Sequence, residues 1–264
     1  MPRLGGRKLL LRIQPRLPEE LYLGRDLFFD FLREKGLVVR KRRNRIKTTY
    51  SNHWLRKYPN LIKDYTPERA HQLWVSDITY IETAEGFGYL SLITDGYSRK
   101  IVGWELGDNL ESKHSVKALE MALSQLPRKV RNLYHHSDRG VQYCCDEYVK
   151  LLKKNRIQIS MTENGDPLEN AIAERVNGIL KDEWLFQMKL ETRSEARYQL
   201  KQIIRIYNEE RPHSSLDMKT PYVAHNMTSI LRKHWKNYYK TGGNVKDEIK
   251  INSFMEPNEV MATR

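Results

Sequence analysis

The stretch WVSDITYIETAEGFGYLSLITDGYSRKIVGWEL, residues 74–106, decides the fold class. β-Branched and aromatic residues dominate 74–81, 89–94 and 101–106, which predicts three strands. Glu85-Gly86-Phe87-Gly88 and Asp95-Gly96-Tyr97-Ser98-Arg99 between them carry turn chemistry, so the strands form an antiparallel meander. Asp77 interrupts the apolar run of the first strand. A charge placed there costs several kcal/mol unless it is paired or bound to a metal.

Outward from this meander, 112–126 reads as a helix with Val116, Leu119, Met121, Ala122 and Leu126 near its buried face. A fourth strand is expected over 130–135, a helix over 147–155 and a fifth strand over 157–160. A long helix starts near Pro167, with Asp166 as N-cap and Glu169 at the third position, and runs through Ala171, Ala173, Val176 and Leu180 to Trp184. A further helix spans 192–208 and contains Leu200, Ile203, Ile204 and Tyr207. The order β-β-β-α-β-α-β-α is that of an α/β, ribonuclease-H-like fold: a mixed five-stranded sheet flanked by helices.

A small all-helical, helix-turn-helix-like domain precedes it. Residues 7–13 present Leu9, Leu10 and Ile13, and residues 25–35 place Leu27, Phe28, Phe31 and Leu32 on one face before Gly36. The expected organisation is a helical DNA-binding module at 1–47, a linker at 48–70, the catalytic core at 71–226, and a partly disordered C-terminal extension at 227–264.

Charge points to the partner. The chain of 264 residues carries a formal net charge of +13. Residues 1–66 hold seventeen Lys/Arg against six Asp/Glu. A basic block of this kind attracts polyanions by releasing condensed counterions, and nucleic acid is the commonest such partner. The run Arg40-Lys41-Arg42-Arg43-Asn44-Arg45 reads as a basic DNA-binding arm. The apolar runs are too short and too often broken by charge for a membrane span, and no membrane partner is expected. The only two cysteines, Cys144 and Cys145, are adjacent, which argues against a disulfide framework and for a reducing, cytoplasmic setting. Adjacent cysteines also make a poor zinc site with His135 and His136.

Two further carboxylates accompany Asp77. Asp138 follows the fourth strand in HHSDRG, and Glu174 lies in the long helix. In this element order the first and fourth strands are neighbours and the long helix crosses beside them, so the three can converge. Taken singly, Asp138 and Glu174 are better read as structural residues. Together they form a hard-oxygen set suited to Mg²⁺ or Mn²⁺. Two ions roughly 3.5–4 Å apart would activate an attacking oxygen and stabilise a leaving one.

The blocks WVSDITYIET (74–83), YLSLITDGYSRKIVGWEL (89–106), HHSDRGVQY (135–143), SMTENGDPLENAIAERVNGILKDEW (160–184) and YNEERPHSSLDMKTP (207–221) resemble the OrfB-type transposases of the insertion-sequence-three family. The catalytic core of that family is similar to that of retroviral integrases. PRLGGRKL and GRDLFFDFLREKGLVVRKRR resemble its helical DNA-binding region. The resemblance places Asp77, Asp138 and Glu174 on the family's catalytic, metal-binding Asp-Asp-Glu triad, with thirty-five residues between the last two. It implies a DNA transposase. Water frees a 3′-hydroxyl at the element's end, and that hydroxyl attacks a second phosphodiester. It also implies two Mg²⁺ (or Mn²⁺) ions, double-stranded DNA as partner (element ends and target), a homo-oligomer on DNA, and an OrfA-type partner protein. The other readings are a ribonuclease-H-like nuclease that cuts without joining and a catalytically idle, transposase-derived DNA-binding protein.

Around the triad, Lys181 is seven residues after Glu174 and shares its helical face. Lys181, Asn170 and Asn177 are candidate DNA contacts, with a solvated helix face as the alternative for each. Residues 162–165 are expected to form a loop beside the metals. Asp95 is read as turn chemistry, with a salt bridge to Arg99 possible.

Overall fold

Leu73–Thr83, the strand that carries Asp77, lies at the centre of the sheet. The computed structural model describes residues 3–18, 20–39, 53–128, 130–163 and 170–228. Within them β1 (Leu73–Thr83), β2 (Gly86–Asp95) and β3 (Ile101–Gly107) form the antiparallel meander. Across this ladder Asp77 stands opposite Leu92. β4 (Tyr134–Ser137) and β5 (Gln158–Met161) add on the other side in parallel, giving the order β3-β2-β1-β4-β5.

A central strand is covered on both faces, which explains the near-continuous apolar character of β1. Trp74 joins Leu119, Tyr148, Leu152 and Met161 in one core, under α3 (Ser112–Ser124) and α5 (Asp146–Lys154). Ile81 joins the other, with Val176 and Leu180 of α6 (Ala171–Glu183) and Leu200 and Ile203 of α7 (Arg193–Glu209). Side chains alternate along a strand, so Asp77 shares the face of Val75 and Ile81, beneath α6. A close backbone approach seats α3: a Cβ at Gly103 would lie 2.1 Å from the Ala118 carbonyl oxygen.

Several boundaries differ from the sequence expectation. The fourth strand was expected over 130–135 and begins at Tyr134, because Asn132 takes a positive φ of 59° and pairing starts where Tyr134 N–H donates to the Gln72 carbonyl. A short helix α4 (Val141–Cys144) follows Asp138, and another, α8 (Pro221–His225), closes the described chain. The cap expected at Asp166, Pro167 and Glu169 lies outside the described residues, as do Arg40, Lys41, Arg42, Arg43 and Arg45, and Gly165 of the expected loop.

In the N-terminal region the two expected helices are α1 (Gly6–Ile13) and α2 (Arg25–Glu34). Only Phe28 and Leu32 of the four apolar residues expected on one face of α2 are buried. Leu27 and Phe31 are exposed, because α1 is a small partner that meets α2 through Gly6 at the Phe29 ring. Among the described residues no helix is long and apolar enough to cross a membrane.

Asp95 is a turn residue, and the salt bridge to Arg99 offered beside that reading does not form. Asp95 is fully buried and accepts from the backbone N–H groups of His71, Tyr97 and Ser98 and from the Ser98 hydroxyl. The Arg99 guanidinium instead donates to the Gly96 carbonyl.

Candidate active site

β1, β4 and α6 set the three carboxylates. Asp77 is half-buried. Its Oδ1 accepts from the Ile78 N–H at 2.9 Å, and its Oδ2 accepts from the Asn177 amide at 2.7 Å. Asp138 leaves the end of β4, beside β1, and its Oδ1 accepts from Gly140 N–H at 2.9 Å. A Cβ at 140 would stand 3.0 Å from that same oxygen, so a larger residue there would press on the Asp138 carboxylate. Glu174, Asn177 and Lys181 share one face of α6 through their i, i+3, i+7 spacing. That face looks onto Asp77.

Charge binds the group together more clearly than contact does. Burial first, then the neighbouring Asp138 carboxylate and, least, Glu174 push the Asp77 pKa up to about 7, against the two hydrogen bonds that favour its anion. Burial lowers the Lys181 pKa, and the facing Asp77 opposes that shift. Among the described residues, no three His, Cys, Asp or Glu side chains close into a group that could hold a metal. The expected trio is thus gathered but not closed. The Asn177 amide engages one Asp77 oxygen. The donor chemistry fits a divalent cation all the same, because these are hard anionic oxygens whose mutual repulsion a cation would relieve.

Asp77 has a measurable signature. Its folded pKa stands above the ordinary 3.8, so the folded state holds this proton more tightly than the unfolded chain. The resulting stability is complete below pH 3.8 and is lost as pH rises through about 7. Without divalent metal, Asp77→Asn is expected to raise Tm more at pH 8 than at pH 5, by at least about 2–4 °C, the shift for 1 kcal/mol in a chain of this size. Equal shifts at the two pH values, read by thermal unfolding, would refute the raised pKa.

The structure redirects two expected DNA contacts. Asn170 and Asn177 are buried rather than presented to phosphate. Asn170 donates its amide to the Ser76 carbonyl at 2.9 Å, so both residues fasten α6 to β1 at the carboxylate. Lys181 is half-buried on the same face.

Sequence reading also passed over what lies beneath the site. His135 Nε2 is 2.7 Å from the Ser76 hydroxyl and 2.8 Å from the Tyr148 hydroxyl, all three fully buried. Burial holds the His135 pKa down to about 3, so the ring is neutral and structural. The Tyr143 hydroxyl is buried without a hydrogen-bond partner in the same layer, and burial, then Asp138, pushes its pKa up. His135 and Tyr143 fall in the HHSDRGVQY block and Ser76 in WVSDITYIET, whereas Tyr148 lies in none of the matched blocks. His136 bonds Ser160, Cys144 lies against the Met161 sulfur and the Cys145 thiol donates to the Gln142 carbonyl, so the four residues of the rejected zinc reading have separate partners.

Known proteins resemble this chain in sequence and in fold. Two integrase core domain profiles match, over residues 67–167 and 155–221. A 31 kDa protein of insertion element IS600 from Shigella sonnei is 37% identical over 80% of this chain and 78% of its own length. The transposase InsF of insertion sequence IS3A from Escherichia coli K12 is 35% identical over 58% of this chain, and the match spans about half of that transposase, 53%. A solved simian T-cell lymphotropic virus intasome, in complex with a PP2A regulatory subunit, aligns with a TM-score of 0.54 at 17% identity. The alignment covers 71% of this chain and 65% of that one. At that identity the likeness speaks for the ribonuclease-H-like integrase fold alone.

Proposed function

Because the chain belongs to the IS3-type transposases, which are built on an integrase core, we propose that it cuts and rejoins DNA at Asp77, Asp138 and Glu174. One observation carries this reading: a carboxylate in the central strand, pushed up to about pKa 7 by burial and by two further carboxylates from β4 and α6. Such a cluster is unfavourable for the fold by itself and favourable for holding a cation.

Asp77, Asp138 and Glu174 would hold Mg²⁺ or Mn²⁺, two ions in the fullest form of the reading. Bound metal supplies charge neutralisation at the phosphate and activates the attacking oxygen. The chain's own residues do the rest. Ile78 N–H and the Asn177 amide fix the rotamer of Asp77, and Gly140 N–H fixes that of Asp138. In this reading Lys181, which shares the face of α6 that carries Glu174, meets a DNA phosphate. In this reading water opens a phosphodiester at the element's end, and the freed 3′-hydroxyl attacks a second one. Double-stranded DNA is the substrate. The protein acts as a homo-oligomer on it, because two ends must be held together, and an OrfA-type protein is a candidate partner.

The deciding assay is strand cleavage and joining on duplexes carrying the element's ends, with Mg²⁺. Cleavage without joining would favour a nuclease; binding without cleavage would favour an idle DNA-binding protein. The basic run is a separate expectation. Replacing Arg40, Lys41, Arg42, Arg43 and Arg45 by Gln should weaken duplex binding and lower the slope of log affinity against log salt by about 0.9 for each phosphate no longer neutralised. An unchanged slope would move the DNA-binding assignment elsewhere.

A further inference from the structure

Lys8 and Arg12 lie four residues apart on one face of α1. Arg12 is anchored where α7 ends: its guanidinium donates to the Glu210 carbonyl at 3.3 Å and lies 3.6 Å from the Glu210 carboxylate. One turn back, Lys8 is brought to the segment that follows, Arg211-Pro212-His213. It is half-buried there. Burial, then the charge of Arg211, holds its amine down to about 8; Arg175 adds to the effect and Glu183 opposes it.

The charges in this group do not balance. Arg211 is fully buried and takes both Glu183 oxygens, at 2.7 and 2.5 Å. Among the described residues Lys8 forms no ion pair, and the same cations crowd His213. That ring is 6% exposed, its Nε2 is buried with no hydrogen-bond partner, and burial, then Arg211 and Lys8, pushes its pKa down to about 2. Three cations from three elements therefore stand around one carboxylate that is already engaged. Partial burial strengthens their repulsion severalfold over water, and an arriving anion would relieve it. Arg175 is exposed and follows Glu174 directly on α6, so the group opens to solvent beside the carboxylate face.

We propose that Lys8 and Arg175, set over the Arg211–Glu183 pair, hold a backbone phosphate of double-stranded DNA. The inference rests on DNA being the substrate, and it adds that the N-terminal helix and α6 grip the same duplex. Phosphate suits the group, since a guanidinium and an ammonium can each donate to its several acceptor oxygens.

Lysine acylation of the full chain at pH 8, read residue by residue by mass spectrometry, tests this. Lys8, about half deprotonated at that pH, reacts ahead of the exposed lysines, and a bound duplex removes its labelling. Labelling that persists under saturating duplex overturns the proposal; protection by inorganic phosphate without duplex overturns the DNA assignment. In parallel, Lys8→Gln lowers the salt slope of duplex binding by about 0.9 and Lys8→Arg restores it. An unchanged slope in a folded Lys8→Gln protein also refutes the site. If Lys8→Gln fails to fold, labelling of the unaltered protein still decides. Protection of Lys8 in a protein that binds but never cuts leaves this site standing and removes only the catalytic reading.

Discussion

Asp138→Asn is expected to abolish strand cleavage and strand joining together, by on the order of 10³-fold or more, while duplex binding persists. The substitution is close to isosteric. The Asn side-chain oxygen can still accept from Gly140 N–H, so the loop after β4 keeps its shape and only the charge is lost. That loss has a second readout. Asp138 is the largest charged contributor to the raised pKa of Asp77, so the variant lowers that pKa from about 7, and Glu174→Gln lowers it less. A pH titration of Asp77 followed by NMR separates this from a merely damaged fold. Retained strand transfer in Asp138→Asn would remove the metal assignment, whatever the titration showed.

The second large effect is on stability. Arg211→Ala is expected to cost about 3–5 kcal/mol, because it strands Glu183 next to a fully buried cavity. In a chain of this length that lowers Tm by about 10 °C. The exposed i,i+4 pair Arg205–Glu209, at 3.8 Å, supplies the control, and Arg205→Ala should cost at most about 0.5 kcal/mol. Replacing the buried pair together, as Arg211→Met with Glu183→Leu, should recover most of the loss, since a buried pair owes more to the penalty of breaking it than to net attraction. If Arg211→Ala melted with Arg205→Ala, the pair would contribute no more than a surface one.

Much of this architecture was legible from local patterns. The three strands of 74–106 followed from β-branched residues and turn chemistry, both of which act over a few neighbours. Asp77 stood out because a carboxylate in an apolar strand needs a reason. Asp138 and Glu174 did not stand out singly; only the matched blocks made them candidates, because ordinary surface acids have the same local signature. Asn177 was misread for the same cause. A polar residue on an amphipathic helix looks solvated until the helix is laid across a strand one hundred positions away in sequence, where its amide meets Asp77. The partial exposure of α2 was hidden too, since periodicity marks an apolar face without saying how large a partner will cover it.

The sequence by itself determined the order of the five strands and the main helices and pointed to the family, and it offered three acidic positions as candidates, because strand alternation, helix spacing and residue chemistry are properties of short segments. Tertiary structure decided which charges face one another: that Asp138 raises Asp77, that Asn177 secures it, that Arg211 takes Glu183, and that Lys8 forms no ion pair among the described residues. Coulomb and desolvation energies depend on distance and burial in three dimensions, and packing alone sets those for residues far apart along the chain.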